Sequence, residues 1–136
     1  AAIREYCRRT GQPAPESPAD YCRCIFRSLA FRYRQVVEIL QGLCDFPIRR
    51  LNVIGGGSQN RYLMQYTADA LNMPVICGPV EGTALGNVLM QIKASDNALT
   101  LERMREISAS SVELVTYHPS DKEAWDKEYE RFITLK

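Results

Sequence analysis

Residues 51–60 read LNVIGGGSQN, and they confine this chain to few folds, because a short apolar run, three consecutive glycines and a helix start follow one another directly. Leu51-Asn52-Val53-Ile54 has the length and character of a short buried strand. Gly55-Gly56-Gly57 breaks it. A helix is expected over about residues 59–71, with Tyr62, Met64, Thr67, Ala68 and Leu71 available to a core and Ser58 placed to cap it. Asn72 suits the left-handed position after a helix, and Pro74 blocks continuation. Pro74-Val75-Ile76-Cys77 then reads as a second short strand. Glycines let a ligand approach the backbone, and a helix N-terminus offers unpaired N–H groups, so this junction is also the place to look for a binding site.

The flanking sequence extends the pattern. Residues 1–9 read as the end of a helix, and the segment from Gly11 to Pro18 as a loop punctuated by Pro13, Pro15 and Pro18. Ser17, Pro18 and Asp20 form a helix start with a capping box. The helix they open is expected over residues 18–43, with Tyr21, Ile25, Leu29, Tyr33, Val36, Leu40 and Leu43 as its apolar face. Arg23, Arg27, Arg34, Gln35, Glu38 and Gln41 fall on the other side. Residues 81–94 read as a mostly buried helix entered through the turn Gly78-Pro79-Val80. Thr100 can start a short helix, and residues 112–117 an edge strand. Ser120 to Glu123 is a capping-box pattern before a last helix with Trp125, Tyr129, Phe132 and Ile133 on its apolar face. Its charged group Glu123, Asp126, Lys127, Glu128, Glu130 and Arg131 reads as a solvated face. Helix alternates with strand, which is an α/β arrangement.

Composition excludes several classes. The net charge is +1, and the arginines form no stripe, so nothing marks the chain for nucleic acid or an anionic membrane surface. No run of 18 apolar residues is present and the N-terminus lacks an apolar signal core, which points to a cytoplasmic protein. The chain has 136 residues and does not begin with Met; it reads as a single partial domain cut from a longer protein. Five cysteines, an odd number, argue against a disulfide framework. A single bridge from Cys7 to Cys22 or Cys24 stays open. Cys22 and Cys24 lack the spacing of a zinc pair, and His118, the one histidine, reads as a loop residue. Asp69 reads as structural.

Three nucleotide-binding readings meet at the glycines. A Walker loop needs a lysine after its last glycine, and no Lys occurs from Ile48 to Ile92. A dinucleotide fingerprint needs a third glycine where Asn60 stands. A third pattern fits. Gly11-Gln12-Pro13, Pro15-Glu16-Ser17, Cys24-Ile25-Phe26-Arg27-Ser28-Leu29-Ala30, Ile54-Gly55-Gly56-Gly57-Ser58-Gln59-Asn60, Ala68-Asp69-Ala70, Gly78-Pro79-Val80-Glu81 and Leu85-Gly86-Asn87 stand in the order and spacing of the FGGY carbohydrate kinases. Over about residues 1–120 the chain resembles the C-terminal, nucleotide-binding part of that family, within the actin, Hsp70 and sugar-kinase group of ribonuclease H-like domains. Asn87 stands where many members carry Ala and narrows the resemblance to one branch.

The resemblance implies ATP as phosphoryl donor, Mg²⁺ as its partner ion and a sugar as acceptor. It implies that Gly55 and Gly56 lie against the nucleotide, with Gly57, Ser58 and Gln59 adjacent and Asn60 reaching the adenine ring. Glu81, Thr83 and Gly86 would belong to a segment that packs between two domains and moves as the cleft closes. No residue here matches the family's catalytic base, metal ligands or sugar pocket, so the segment alone is expected to be inactive. Two rivals stay open: a family member with another sugar specificity, and a non-catalytic scaffold domain whose glycine turn merely joins strand to helix. Apolar surfaces and strand edges that meet a missing part would favour self-association of the isolated segment.

Overall fold

The computed structural model describes residues 2–135. In chain order the elements are α1 (Ala2–Arg9), α2 (Pro18–Leu43), β1 (Leu51–Val53), a 3₁₀ turn (Gly56–Gln59), α3 (Arg61–Leu71), β2 (Val75–Cys77), α4 (Gly82–Ser95), α5 (Leu101–Ser110), β3 (Val115–Tyr117) and α6 (Lys122–Thr134). β2 is the central strand. It pairs parallel with β1, Leu51 opposite Val75 and Val53 opposite Cys77, and antiparallel with β3, Val75 opposite Tyr117. The expected α/β class and the edge strand are therefore present.

α3 lies in the middle of the molecule because it is apolar on two sides. Met64 and Ala68, one turn apart, meet Val75 and Cys77 on the sheet. Ala70 and its neighbour Tyr66 face the other way, toward Ala30, Phe31, Trp125 and Tyr129 of α2 and α6. The layers are thus α2 with α6, then α3, then the sheet. Two buried polar groups are satisfied inside α3. Thr67 Oγ donates to the Leu63 carbonyl at 2.6 Å. Asp69 accepts from Ser120 N–H (2.8 Å), Ser120 Oγ (3.0 Å) and Gln65 Nε2 (2.9 Å), which ties α3 to the start of α6 and gives Asp69 the structural part expected for it.

α2 begins as its sequence dictates. Ser17 Oγ accepts from Asp20 N–H, and the Asp20 carboxylate accepts from Ser17 N–H at 3.1 Å. Its buried face is not the expected one. Ala30 and Phe31 are the buried positions, while Val36, Leu40 and Leu43 are 52%, 46% and 77% exposed. Phe31 wins because α6 presents aromatic rings to it: Trp125 at 5.5 Å edge-on, Tyr129 at 5.7 Å and Phe132 at 5.2 Å between centroids.

The arginines expected on the solvated side line that contact. Arg34 Nη1 donates to Asp126 (2.6 Å) and to the Ala70 carbonyl (3.1 Å), its Nε donates to Glu38 (2.9 Å), and its guanidinium lies 4.0 Å from the Tyr129 ring centre. Arg27 covers the Trp125 ring at 4.6 Å and pairs with Glu128. Tyr129 donates its hydroxyl to Glu38 at 2.5 Å. Asp126 and Glu128 therefore do not belong to a purely solvated face; they join α6 to α2. Burial, and then the Glu38 carboxylate, push the Tyr129 phenol up to about 12. Lys122, and then Arg34, hold the Asp126 carboxyl below its usual range.

Two outcomes follow for the full-length protein. Phe31→Ala, which empties the centre of the aromatic cluster, lowers unfolding free energy by about 3–5 kcal/mol in urea titrations. Asp126 has a folded pKa below its unfolded one, so its contribution is present above the usual carboxylate range and is lost as pH falls through the lowered value. Asp126→Asn accordingly lowers the urea midpoint at neutral pH, and the gap to the parent closes as pH is taken down to about 2.

Candidate functional site

The chain leaves β1 through Ile54 and enters Gly55 at φ 86°, ψ 179°. Only glycine adopts that region without strain. Two backbone bonds hold the turn from the side. Gly55 N–H donates to the Pro79 carbonyl at 3.2 Å, and Gly78 N–H donates to the Val53 carbonyl at 2.7 Å. The loops after β1 and after β2 are thereby stitched together beyond the carboxyl ends of two parallel strands, the edge where α/β sheets bind ligands. Gly78 has its own reason: an added Cβ would meet Ile54 Cγ2 at 3.1 Å.

Ser58 folds back onto the turn. Its N–H and its Oγ both donate to the Gly55 carbonyl, at 3.0 and 2.7 Å, and its side chain is buried. It therefore does not cap α3, as its position had suggested. The 3₁₀ turn Gly56–Gln59 uses up the intervening residues, and Asn60 becomes the cap: its Oδ1 accepts from Leu63 N–H at 3.1 Å. That bond commits the side-chain oxygen of Asn60. The Asn60 –NH₂ group supplies donors only.

Gly56 and Gly57 differ from Gly55. Neither has a left-handed φ, and an added Cβ on either would find nothing within 4 Å. Both are exposed, as is Gln59. Neither backbone geometry nor packing asks for glycine at 56 or 57; the space above them is open.

Glu81, Thr83 and Gly86 sit on the neighbouring element. Gly82 comes within 3.5 Å of Ile54 Cδ1, measured from an added Cβ, so the start of α4 adjoins the strand end that feeds the glycine turn. Glu81 is the residue before α4 and makes no side-chain cap bond; it and Thr83 are exposed. Gly86, inside α4, has open space where a Cβ would be. The expected burial of this helix is corrected: Leu89 is its buried residue, whereas Val88, Met90 and Ile92 are 52%, 56% and 48% exposed. α4 packs on α5 and has little of the core over its outer face. The structure thus gathers residues 55–60 and the 78–82 turn at one edge, with Gly86 further along the exposed helix. The sequence held no signal that the Pro79 carbonyl would clamp Gly55. His118 contributes its backbone carbonyl to Gln65 at 2.8 Å. No disulfide joins the five cysteines, and no group of three His, Cys, Asp or Glu side chains able to hold a metal lies together among the described residues.

Comparison with known proteins assigns the architecture. The model of the C-terminal domain of the FGGY family of carbohydrate kinases matches residues 1–95. The chain belongs to the FGGY family of carbohydrate kinases. This FGGY C-terminal segment is 53% identical over 131 residues to a rhamnulokinase of Bacteroides thetaiotaomicron, covering 96% of the segment and 27% of that protein. It is 44% identical over 134 residues to a rhamnulokinase of Pectobacterium atrosepticum (98% and 27% covered), and 38% over 133 residues to one of Klebsiella pneumoniae (98% and 26% covered). It thus spans about a quarter of the length of these curated relatives. The crystal structure of xylulose kinase from Rhodospirillum rubrum superposes with a TM-score of 0.70 at 21% identity, over 92% of this chain and 25% of that one, and shares the fold.

The three glycines separate experimentally. Gly55→Ala forces a side chain into the left-handed region and costs about 1–3 kcal/mol of stability. Gly56→Ala meets no such strain and leaves stability within about 1 kcal/mol of the parent. Urea unfolding of the two full-length variants checks both.

Proposed function

We propose that this segment holds the adenosine half of ATP in an FGGY kinase that phosphorylates L-rhamnulose to L-rhamnulose 1-phosphate. The observation that carries the reading is the open face over Gly56 and Gly57, two glycines that neither conformation nor packing requires, beside an Asn60 amide with donors to spare. A purine plane lies on a backbone without side chains, and its ring nitrogens accept from an amide –NH₂. Ser58 keeps the turn in shape from below, Gln59 borders it, and the Gly55–Pro79 bond couples it to the 78–82 turn. Bound ATP supplies the phosphoryl group that is transferred. This segment binds and orients its base end; it offers no residue for the proton abstraction, the Mg²⁺ ion or the sugar, which we assign to the remainder of the longer protein.

Glu81, Thr83 and Gly86 are proposed to form the moving surface between domains. The exposure of Glu81 and Thr83, the open space at a Gly86 Cβ and the thin packing of α4 suit an element that changes neighbours. The rhamnulokinase names of the relatives favour L-rhamnulose over xylulose, fuculose or glycerol as acceptor. A scaffold without nucleotide binding explains neither Gly56 nor Gly57. No helix of the described residues is long and apolar enough to cross a membrane, and a cytoplasmic enzyme is the working assignment.

Asn60→Asp provides the decisive test, because Asp caps a helix as well as Asn but has no –NH₂ to donate. In the full-length enzyme, the KM for ATP is expected to rise about tenfold, the worth of one lost hydrogen bond. The KM for L-rhamnulose and the circular dichroism spectrum stay unchanged. An unchanged ATP dependence removes the purine from this site; turnover of xylulose or glycerol in preference to L-rhamnulose removes the acceptor assignment. The exposed stripe Ile25, Leu29, Val36, Ile39, Leu40 and Leu43 of α2 is proposed to meet other parts of the longer protein. Expressed alone, residues 1–136 then self-associate with rising concentration in light scattering, whereas a monomer throughout contradicts that surface assignment.

A further inference from the structure

Charge is scarce around the glycine turn. From residue 51 to residue 92 the chain holds one cation, Arg61, and two acids, Asp69 and Glu81. Asp69 is buried and engaged by Ser120 and Gln65. Glu81 is exposed and precedes α4. Arg49 and Arg50 stand before β1, at the other end of that strand from the turn. Arg61 is the first residue of α3 and follows Asn60 directly. A cation there meets the positive end of the helix dipole, where an acid would be favoured, so its placement works against α3. Packing does not call for it either. Arg27 and Arg34 of α2 are paired with Glu128 and Asp126 of α6. Among the described residues no carboxylate lies within 4.0 Å of the Arg61 guanidinium. Its Nη2 donates to the Tyr62 hydroxyl at 3.1 Å, and the guanidinium is 4.9 Å from the centre of that ring. Tyr62 is itself 56% exposed, so the contact is wet and readily exchanged, and most donors of the guanidinium stay free.

We infer that Arg61 supplies a counter-charge for the phosphate chain of the bound nucleotide, exchanging Tyr62 for a phosphate oxygen. The inference rests on the nucleotide reading of Gly56, Gly57 and Asn60 and adds a division of labour to it. Neutral donors and an open backbone hold the base, and the one cation of this stretch answers the charged part. A guanidinium offers a phosphate paired N–H donors in the right plane, which the Tyr62 hydroxyl uses only singly. Because the pair forms in contact with water, its strength falls as salt rises. Arg61 is a positioning residue here: it adds affinity for the nucleotide and takes no part in the phosphoryl transfer.

Adenosine and ADP separate the two parts, because they share the base and differ in the phosphates. Binding of each to the full-length protein is measured by displacement of a fluorescent nucleotide, without added metal so that the phosphates keep their charge. Arg61→Gln is expected to weaken ADP about three- to fivefold at low salt, the worth of one exposed ion pair, and to leave adenosine unchanged. Arg61→Glu weakens ADP further, and Arg61→Lys restores most of the loss. In roughly 0.5 M salt the parent and Arg61→Gln bind ADP alike. Equal losses for adenosine and ADP, an ADP affinity indifferent to Arg61→Glu, or a gap that persists in high salt would each overturn the assignment. Asn60→Asp tells that failure from failure of the nucleotide reading itself. Where it weakens both ligands and Arg61→Gln weakens neither, only the counter-charge is wrong; where it weakens neither, the nucleotide does not sit here and both readings fall.

Discussion

One hydrogen bond, from Gly55 N–H to the Pro79 carbonyl, joins the two loops that carry the candidate site of this segment. It requires the φ of 86° that glycine alone tolerates, and it places the turn after β1 against the turn after β2. Gly78 N–H on the Val53 carbonyl closes the same stitch from the other side. Without it the 3₁₀ turn would have no fixed origin, and Asn60 would have no fixed height above the sheet. The parallel pairing of β1 with β2 sets the two loops at one end; the stitch makes them one surface.

The rest of the molecule holds α3 still behind that surface. α3 is clamped between the sheet and the α2–α6 pair, so the cap residue at its N-terminus cannot drift. Much of the clamp is made by residues that carry charge. Arg34 serves Asp126, Glu38, the Ala70 carbonyl and the Tyr129 ring at once, and Arg27 roofs Trp125. Surface ion pairs alone contribute little. These arginines contribute because their planar heads also cover aromatic rings and exclude water from the cluster around Phe31.

Some local signals in the sequence held, others did not, since Asn60 and Asp121 rather than Ser58 and Ser120 cap α3 and α6, and the long-range ones were out of reach. The Ser17 capping box and the left-handed Asn72 depend on neighbours a few residues away, and the structure has them where the sequence puts them; the strands form in the expected segments but are shorter, at Leu51–Val53, Val75–Cys77 and Val115–Tyr117. The choice of buried face on α2 depends on α6, some ninety residues later, and periodicity could not see it: the wider apolar stripe is left exposed while Phe31 is buried. α4 misled for a related reason, since an apolar composition states that a surface will be covered but not by what. Ser58 yields the cap of α3 to Asn60 because a 3₁₀ turn, unlike an α-helical start, returns the serine to Gly55. The glycine turn was legible as a segment; the Pro79 clamp was not, because a backbone carbonyl leaves no trace in residue identity.

Three adjacent glycines therefore answer to two different demands. Gly55 is required by the chain itself, and any domain with this turn would need it. Gly56 and Gly57 have ordinary backbone angles and empty space where a side chain would be, so the fold gains nothing from them; alanine in a helical turn would even restrict the unfolded chain in its favour. A residue choice that forgoes stability is the ground on which the nucleotide is proposed to occupy that space. Asn60 points the same way. Asp or Ser would serve equally as a cap, but of these only Asn, once its oxygen is committed to Leu63 N–H, still presents an –NH₂ group to a neighbour that accepts.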